Sequence, residues 1–411
     1  MSAANGGGGV GVSIGNGGSG RYPDEMEPIR SSDLLSRYAE STVWLARYME
    51  RIENLARVLD VTETFVRTGQ GRDGWASVVQ INADDEPFTG RHAQPDAASV
   101  TDFYVLDTSH GNSISSIVNM ARENARTLRP LISTEMWTHI NVFHNWIRRL
   151  GPNDVRPSHL SALCARVKQE CQTHYGITEG TFYRDQGWCF YMIGKYLERA
   201  DQITRLVDIK YHTLLPGEAG IGSEVDVSQW SAVLRAAAGY HAFRRTMPRV
   251  LQPKDVAGFL LLNNAFPRSL ALTLRQVYWA LGQLRTDYGL RRSGIILERL
   301  DELRASLVDQ TIEQIIVRGL HEFLDWVQLE LRQIQEGVAS AFWPPPPELL
   351  VPQQALDGGA STMAQTQGEG GMSQTMGTMK QSMGSMTQTL GDMSQTFGNP
   401  SKPGDDPNQQ S

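Results

Sequence analysis

Along most of the chain, apolar residues recur every three or four positions, the signature of helices that bury one face. The pattern begins after Ser32 and Asp33, residue types that cap helix N-termini, and predicts one long helix ending near Arg67. Gly, Asp and Pro break the period between Gly69 and Gln94, where WASVVQI supplies one short element. Helical patterns resume in AASVTDFYVL, SISSIVNMARENARTL, LISTEMWTHINVFHNWIRRL and SALCARVKQECQTHY, and GITEGTFYRDQG reads as a loop. A second long helix is predicted from about Trp188 to Leu214, with further helices at about 226–247, 253–263, 268–286, 293–308 and 310–340. No credible run of alternating strands appears, so the expected fold is all-α.

The two long helices carry the same residues. In YMERIENLARVLD (48–60) and YLERADQITRLVD (196–208), Tyr48, Glu50, Arg51, Arg57 and Asp60 fall on Tyr196, Glu198, Arg199, Arg205 and Asp208 at an offset of 148. A second pair, FYVLDTSHGNSI (103–114) and FLLLNNAFPRSL (259–270), matches at an offset of 156. Two matches in the same order imply an internal duplication. The expected organisation is a Gly-rich arm (1–32), two homologous helical-bundle repeats (33–180 and 181–343) and a low-complexity tail (344–411).

The arm is too weakly hydrophobic to offset ordering entropy and is expected to be disordered. PPPP after Trp343 stops the last helix. Residues 372–399 then form four heptads, MSQTMGT, MKQSMGS, MTQTLGD and MSQTFGN, with the apolar spacing of a coiled-coil seam. Each heptad also carries a glycine, which costs a helix about 1 kcal/mol. The tail is therefore expected to be mostly disordered in isolation, with a helix formed on a partner, a membrane surface or another copy as the alternative.

On the first long helix, Leu45, Tyr48, Met49, Ile52, Leu55, Ala56 and Leu59 make one apolar stripe, with Glu50, Asn54 and Arg57 nearly opposite. Glu53 and Asp60 flank Arg57 at i−4 and i+3, and Asp201, Arg205 and Asp208 rebuild that ladder. A solvated face would hold only surface ion pairs worth about 0.2–0.5 kcal/mol each. Yet the charges match between the copies while core positions exchange, as with Met49 against Leu197 and Ile52 against Ala200. Glu50, Arg51, Glu198 and Arg199 are thus expected to form interhelical pairs, since a guanidinium can hold a carboxylate on a neighbouring helix in bidentate fashion. A ligand or partner site along the same residues is the alternative.

Composition narrows the function classes. A net charge of −7 gives no electrostatic reason to expect nucleic acid as a partner. Charge interrupts every long apolar stretch within about 18 residues, so no membrane span is expected. The N-terminus does not read as a secretory signal, and the expected location is cytoplasmic. Cys164, Cys171 and Cys189 include no CxxC pair and are expected to be buried thiols. No GxxxxGK[ST] loop is present, and no cofactor is expected. Glu50 with Glu53, or Glu198 with Asp201, could share a helix face toward a metal, but the Glu-x-x-His pattern that completes di-iron sites is absent from both copies. Glu135 with His139, and Cys171 with His174, stand one turn apart and are expected to pack rather than to ligate or attack.

The paired motifs, with ARENARTLRPLISTEMWTHIN (121–141), GW at 187–188 and FPRSL at 266–270, resemble the bacterial alpha-E domain family over about 33–343. The resemblance implies a helical domain, usually in tandem, whose biochemical activity is not established. It further implies association, through gene context, with circularly permuted ATP-grasp ligases and transglutaminase-like proteins in a proposed peptide synthesis or modification system. The positions it marks are Glu50, Arg51, Glu198 and Arg199, then Arg122, Glu123, Asn124, Arg126, Glu135 and Trp137. The leading expectation is a non-catalytic partner of an ATP-grasp-type ligase. The alternatives are a metal-dependent helical enzyme using the carboxylates of the two motif helices, and a scaffold whose tail recruits partners. An oligomer is compatible with each.

Overall fold

The computed structural model describes residues 34, 36–69, 74–214, 224–247 and 251–344, which form helices and no strand. The Gly-rich arm (1–32) and the tail heptads (372–399) lie outside the described residues. The first half holds α1 (Ser36–Arg67), α2 (Gly74–Asn82), α3 (Asp85–Thr89) and α4 (Ala97–Thr101), the last continued by a π-helical turn over Asp102–Leu106. Then come α5 (Ile114–Thr127), α6 (Thr134–Ile147) and α7 (Pro157–Thr181). The second half holds α8 (Gln186–Leu214), α9 (Glu224–Ala236), α10 (Tyr240–Thr246) and α11 (Pro253–Leu262). It closes with α12 (Leu270–Thr286), α13 (Gly294–Val308), α14 (Ile312–Arg318) and α15 (Leu320–Phe342).

Four segments differ from the sequence expectation, the first being 69–94, where α3 (Asp85–Thr89) follows the one short element expected. GITEGT, expected to be loop, is the end of α7. There the buried Thr178 donates to the His174 carbonyl at 2.8 Å, and burial of Phe182 against Trp188 and Tyr191 carries the helix past its two glycines. The helix expected over 226–247 breaks into α9 and α10 at Ala238, whose φ is +56°. The helix expected over 310–340 breaks at Gly319, whose φ of +112° glycine adopts without a Cβ clash.

The two motif helices lie at the centre. α1 packs against α8, α5 and α7, while α8 packs against α1, α12 and α15; α5–α6–α7 and α12–α13–α15 complete the surrounding layers. Gly194 permits the close approach of α1 and α8, because a Cβ there would overlap the Val43 carbonyl. The outer helices bury corresponding positions. Leu160, Cys164, Val167, Cys171, His174 and Thr178 of α7 stand 160 residues before Leu320, Leu324, Val327, Leu331, Ile334 and Val338 of α15, and all are buried. In α5, Ile114, Ile117, Val118, Ala121 and Ala125 stand 156 residues before the buried Leu270, Thr273, Leu274, Val277 and Leu281 of α12.

Candidate functional site

Because α1 is covered on several sides, its charged half is not solvated: Glu50 is 0% and Glu53 2% exposed, and in α8 Glu198 is 1% exposed. Glu and Arg adjacent in one helix point in different directions and do not face each other. Each therefore reaches across to the other motif. Arg199 donates from Nε to Glu50 Oε1 and from Nη2 to Glu50 Oε2, both at 2.7 Å. Arg51 grips Glu198 in the same way, at 2.6 and 3.1 Å. Two reciprocal bidentate clamps thus join α1 to α8.

Neighbouring elements complete the hydrogen bonding. Ser113 caps α5 and Ser269 caps α12, each hydroxyl accepting from the amide three residues on. The residue before each cap meets a motif helix. Arg268 donates to Glu50 Oε1 at 2.8 Å and to Glu53 Oε2 at 2.7 Å, and Asn112 Oδ1 accepts from Arg51 at 3.1 Å. Glu50 also accepts from the Tyr175 hydroxyl at 2.9 Å. Glu198 accepts from Arg47 at 2.8 Å and from Gln202 at 3.0 Å. Each motif carboxylate therefore accepts four hydrogen bonds, which compensates the desolvation that burial imposes.

The electrostatics follow. Burial alone would raise both carboxyls, but Arg199 and Arg268 outweigh it and hold Glu50 well below the usual carboxylate range. At Glu198, Arg51 and Arg47 likewise outweigh burial and bring the carboxyl down to about 2. Both are ionised at neutral pH. Burial, then the Glu50 charge, pushes the Tyr175 phenol well above its ordinary value, so it stays protonated and donates. Lys195, which stands 148 residues after Arg47, lies with its ammonium 4.3 Å from the Tyr175 ring centroid. Burial, then Arg199, pushes it down to about 8. Ionised carboxylates saturated by arginine are poor proton acceptors, and a metal would have to displace guanidinium groups to reach them.

The remaining sequence-marked residues divide between other places. Arg57 pairs with Glu53, and Arg205 with Asp201, inside their own helices. Asp60 does not join the Arg57 ladder; it accepts from Lys168 at 2.6 Å and from Ser161 at 2.8 Å on α7. Asp208 meets His321 on α15 at 2.8 Å. Arg122, Glu123 and Arg126 form a separate ion-pair cluster on α5, where Arg122 also donates to Asn141 at 2.7 Å and lies over the Trp137 ring. Asn124 is half-buried, and Arg126 and Glu135 are exposed. The structure thus separates one expected set of residues into a buried lattice and a surface cluster on α5 and α6.

The three thiols are buried. Burial pushes Cys164 and Cys189 up to about 12 and Cys171 well above its usual value. Burial also lowers His174 to about 3, so Cys171 and His174 do not form a thiolate–imidazolium pair. His139 bonds the Glu170 carbonyl at 2.9 Å. Tyr175, Arg268, Asn112, Arg47 and Gln202 are lattice members that sequence reasoning did not single out. The signal for Arg268 was the 156-residue offset, which places it opposite Asn112; no local pattern marks Tyr175.

No helix among the described residues is long and apolar enough to cross a membrane. Residues 34–343 match the family model Alpha-E, described as a predicted alpha-helical domain with a conserved ER motif, and the chain belongs to that family. Uncharacterized proteins of Mycobacterium bovis and Mycobacterium tuberculosis are 23% identical to it over 346 residues. The match covers 79% of this chain, which spans only 37% of the length of these curated relatives. No solved structure matches.

Proposed function

We propose that this Alpha-E protein is a non-catalytic helical accessory protein that works in the cytoplasm with an ATP-grasp-type ligase and a transglutaminase-like protein in peptide synthesis or modification. The observation that carries the non-catalytic part is the saturation of Glu50 and Glu198, each with four donors, three of them guanidinium contacts. The motif then serves to lock α1 onto α8 and gives the helical body a defined surface. The partner class comes from the family resemblance. Association with a larger body is supported by the mycobacterial relatives, in which the matched region is 37% of a longer chain. In this proposal 33–180 and 181–343 are copies of one unit. The reciprocal clamps and the corresponding buried positions of α5 with α12 and of α7 with α15 support that origin.

The test is the solution mass, by light scattering, of the chain alone and mixed with the purified ATP-grasp-type ligase and transglutaminase-like protein encoded beside it. A defined complex with either protein is expected. Arg126 of the surface cluster and the exposed Glu135 are the expected contact, so Arg126→Glu combined with Glu135→Arg should weaken it while leaving the fold intact. Absence of any complex at micromolar protein would overturn the proposed partnership.

A further inference from the structure

The last residue of each motif turns away from the central clamps toward an outer helix. In the first half, Asp60 is held by the Ser161 hydroxyl and the Lys168 ammonium of α7. The buried positions of α7 and α15 correspond at a spacing of 160 residues. That spacing places His321 where α7 has Ser161, and Gln328 where α7 has Lys168. An imidazole thus replaces a hydroxyl, and a neutral amide replaces the ammonium. α15 also carries Asp325, one turn beyond His321 on the same face.

Asp208 Oδ1 is 2.8 Å from His321 Nδ1, and His321 Nε2 is 3.5 Å from Asp325 Oδ2. One donor atom from each of the three residues lies within 4.8 Å of the other two. We propose that Asp208, His321 and Asp325 form a binding site for a divalent first-row metal cation, with zinc as the ion the donor set favours. One imidazole nitrogen with two carboxylate oxygens is a donor set that zinc accepts, and the two carboxylates balance its charge. Asp208 is 7% exposed and anchors the site on α8, whereas the His321 and Asp325 side chains are 38% and 46% exposed. Zinc–ligand bonds of about 2 Å space the donors of a tetrahedral site roughly 3.3 Å apart, so Asp208 and His321 part slightly while the exposed Asp325 side chain rotates inward. A bound ion would tie α15 to α8.

The test uses the full chain, stripped with EDTA and titrated with zinc chloride by calorimetry, beside His321→Asn, Asp325→Asn and Gln328→Lys. Wild type is expected to take up one zinc per chain. Affinity should fall about tenfold or more in Asp325→Asn, and further in His321→Asn. Gln328→Lys, which restores the ammonium used in the first half, should also weaken binding. Asp325 is exposed enough that Asp325→Asn keeps the fold and decides the matter even if another variant unfolds. No zinc uptake by wild type would overturn the proposal and leave the triad as carboxylate–imidazolium ion pairs. Uptake unchanged in Asp325→Asn would overturn it by putting the ion elsewhere.

Discussion

Replacing Arg199 with alanine removes two of the four hydrogen bonds to a carboxylate that is 0% exposed, and it removes the largest charge offset to that burial. Breaking a buried pair from one side costs about 3–5 kcal/mol, because the remaining charge stays desolvated. Arg268 and Tyr175 still donate to Glu50, which points to the lower end, about 3 kcal/mol. That is a large share of a typical folding stability of about 5–15 kcal/mol. Arg51→Ala should cost less, since the Arg51 side chain is 23% exposed against 9% for Arg199, and Arg47 remains on Glu198. Urea denaturation followed by circular dichroism measures both losses. A cycle of Arg199→Ala, Glu50→Gln and the double variant isolates the coupling, with the double expected to cost less than the sum of the singles. A loss below about 1 kcal/mol for Arg199→Ala, the range of exposed pairs, would refute the buried clamp.

Three further outcomes are expected. Gly194→Ala should destabilise by about 1–3 kcal/mol through overpacking at the α1–α8 crossing, despite alanine's better helix propensity; an unchanged or raised urea midpoint would contradict that close approach. Glu50 and Glu198 have folded-state pKa values depressed below the ordinary 4.5, Glu198 to about 2, so their stabilisation is present above pH 4.5 and lost as pH falls toward 2. Acid titration of wild type beside Glu50→Gln/Glu198→Gln should show a weaker acid dependence in the double variant, and identical dependence would exclude these groups as its source. Finally, Ellman's reagent at pH 8 should label Cys164, Cys171 and Cys189 only on denaturant-induced unfolding, given their burial and raised pKa values; rapid labelling of the native chain would disprove their enclosure.

Helix identity was legible along the chain because a 3.6-residue period is local: the ends of α1 at Arg67 and of α8 at Leu214 stand where the apolar pattern stops. Breaks were less legible. Gly319 marks one, but Ala238 adopts a positive φ that no residue type announces, and the glycines of GITEGT sit within α7 because Thr178 and Phe182 are buried. The Glu-Arg repetition was equally plain, and helix geometry alone prevents adjacent Glu50 and Arg51 from pairing with each other. Which arginine serves which carboxylate was decided only in three dimensions. The α1–α8 crossing, made close by Gly194, sets Glu50 against Arg199 and Glu198 against Arg51, and the caps at Ser113 and Ser269 bring in Asn112 and Arg268. Tyr175 and His321 come from helices more than 100 residues away from the carboxylates they meet. Periodicity reports which face of a helix is apolar, whereas the partner of a buried charge depends on where a second helix crosses, and that is a property of the packed chain.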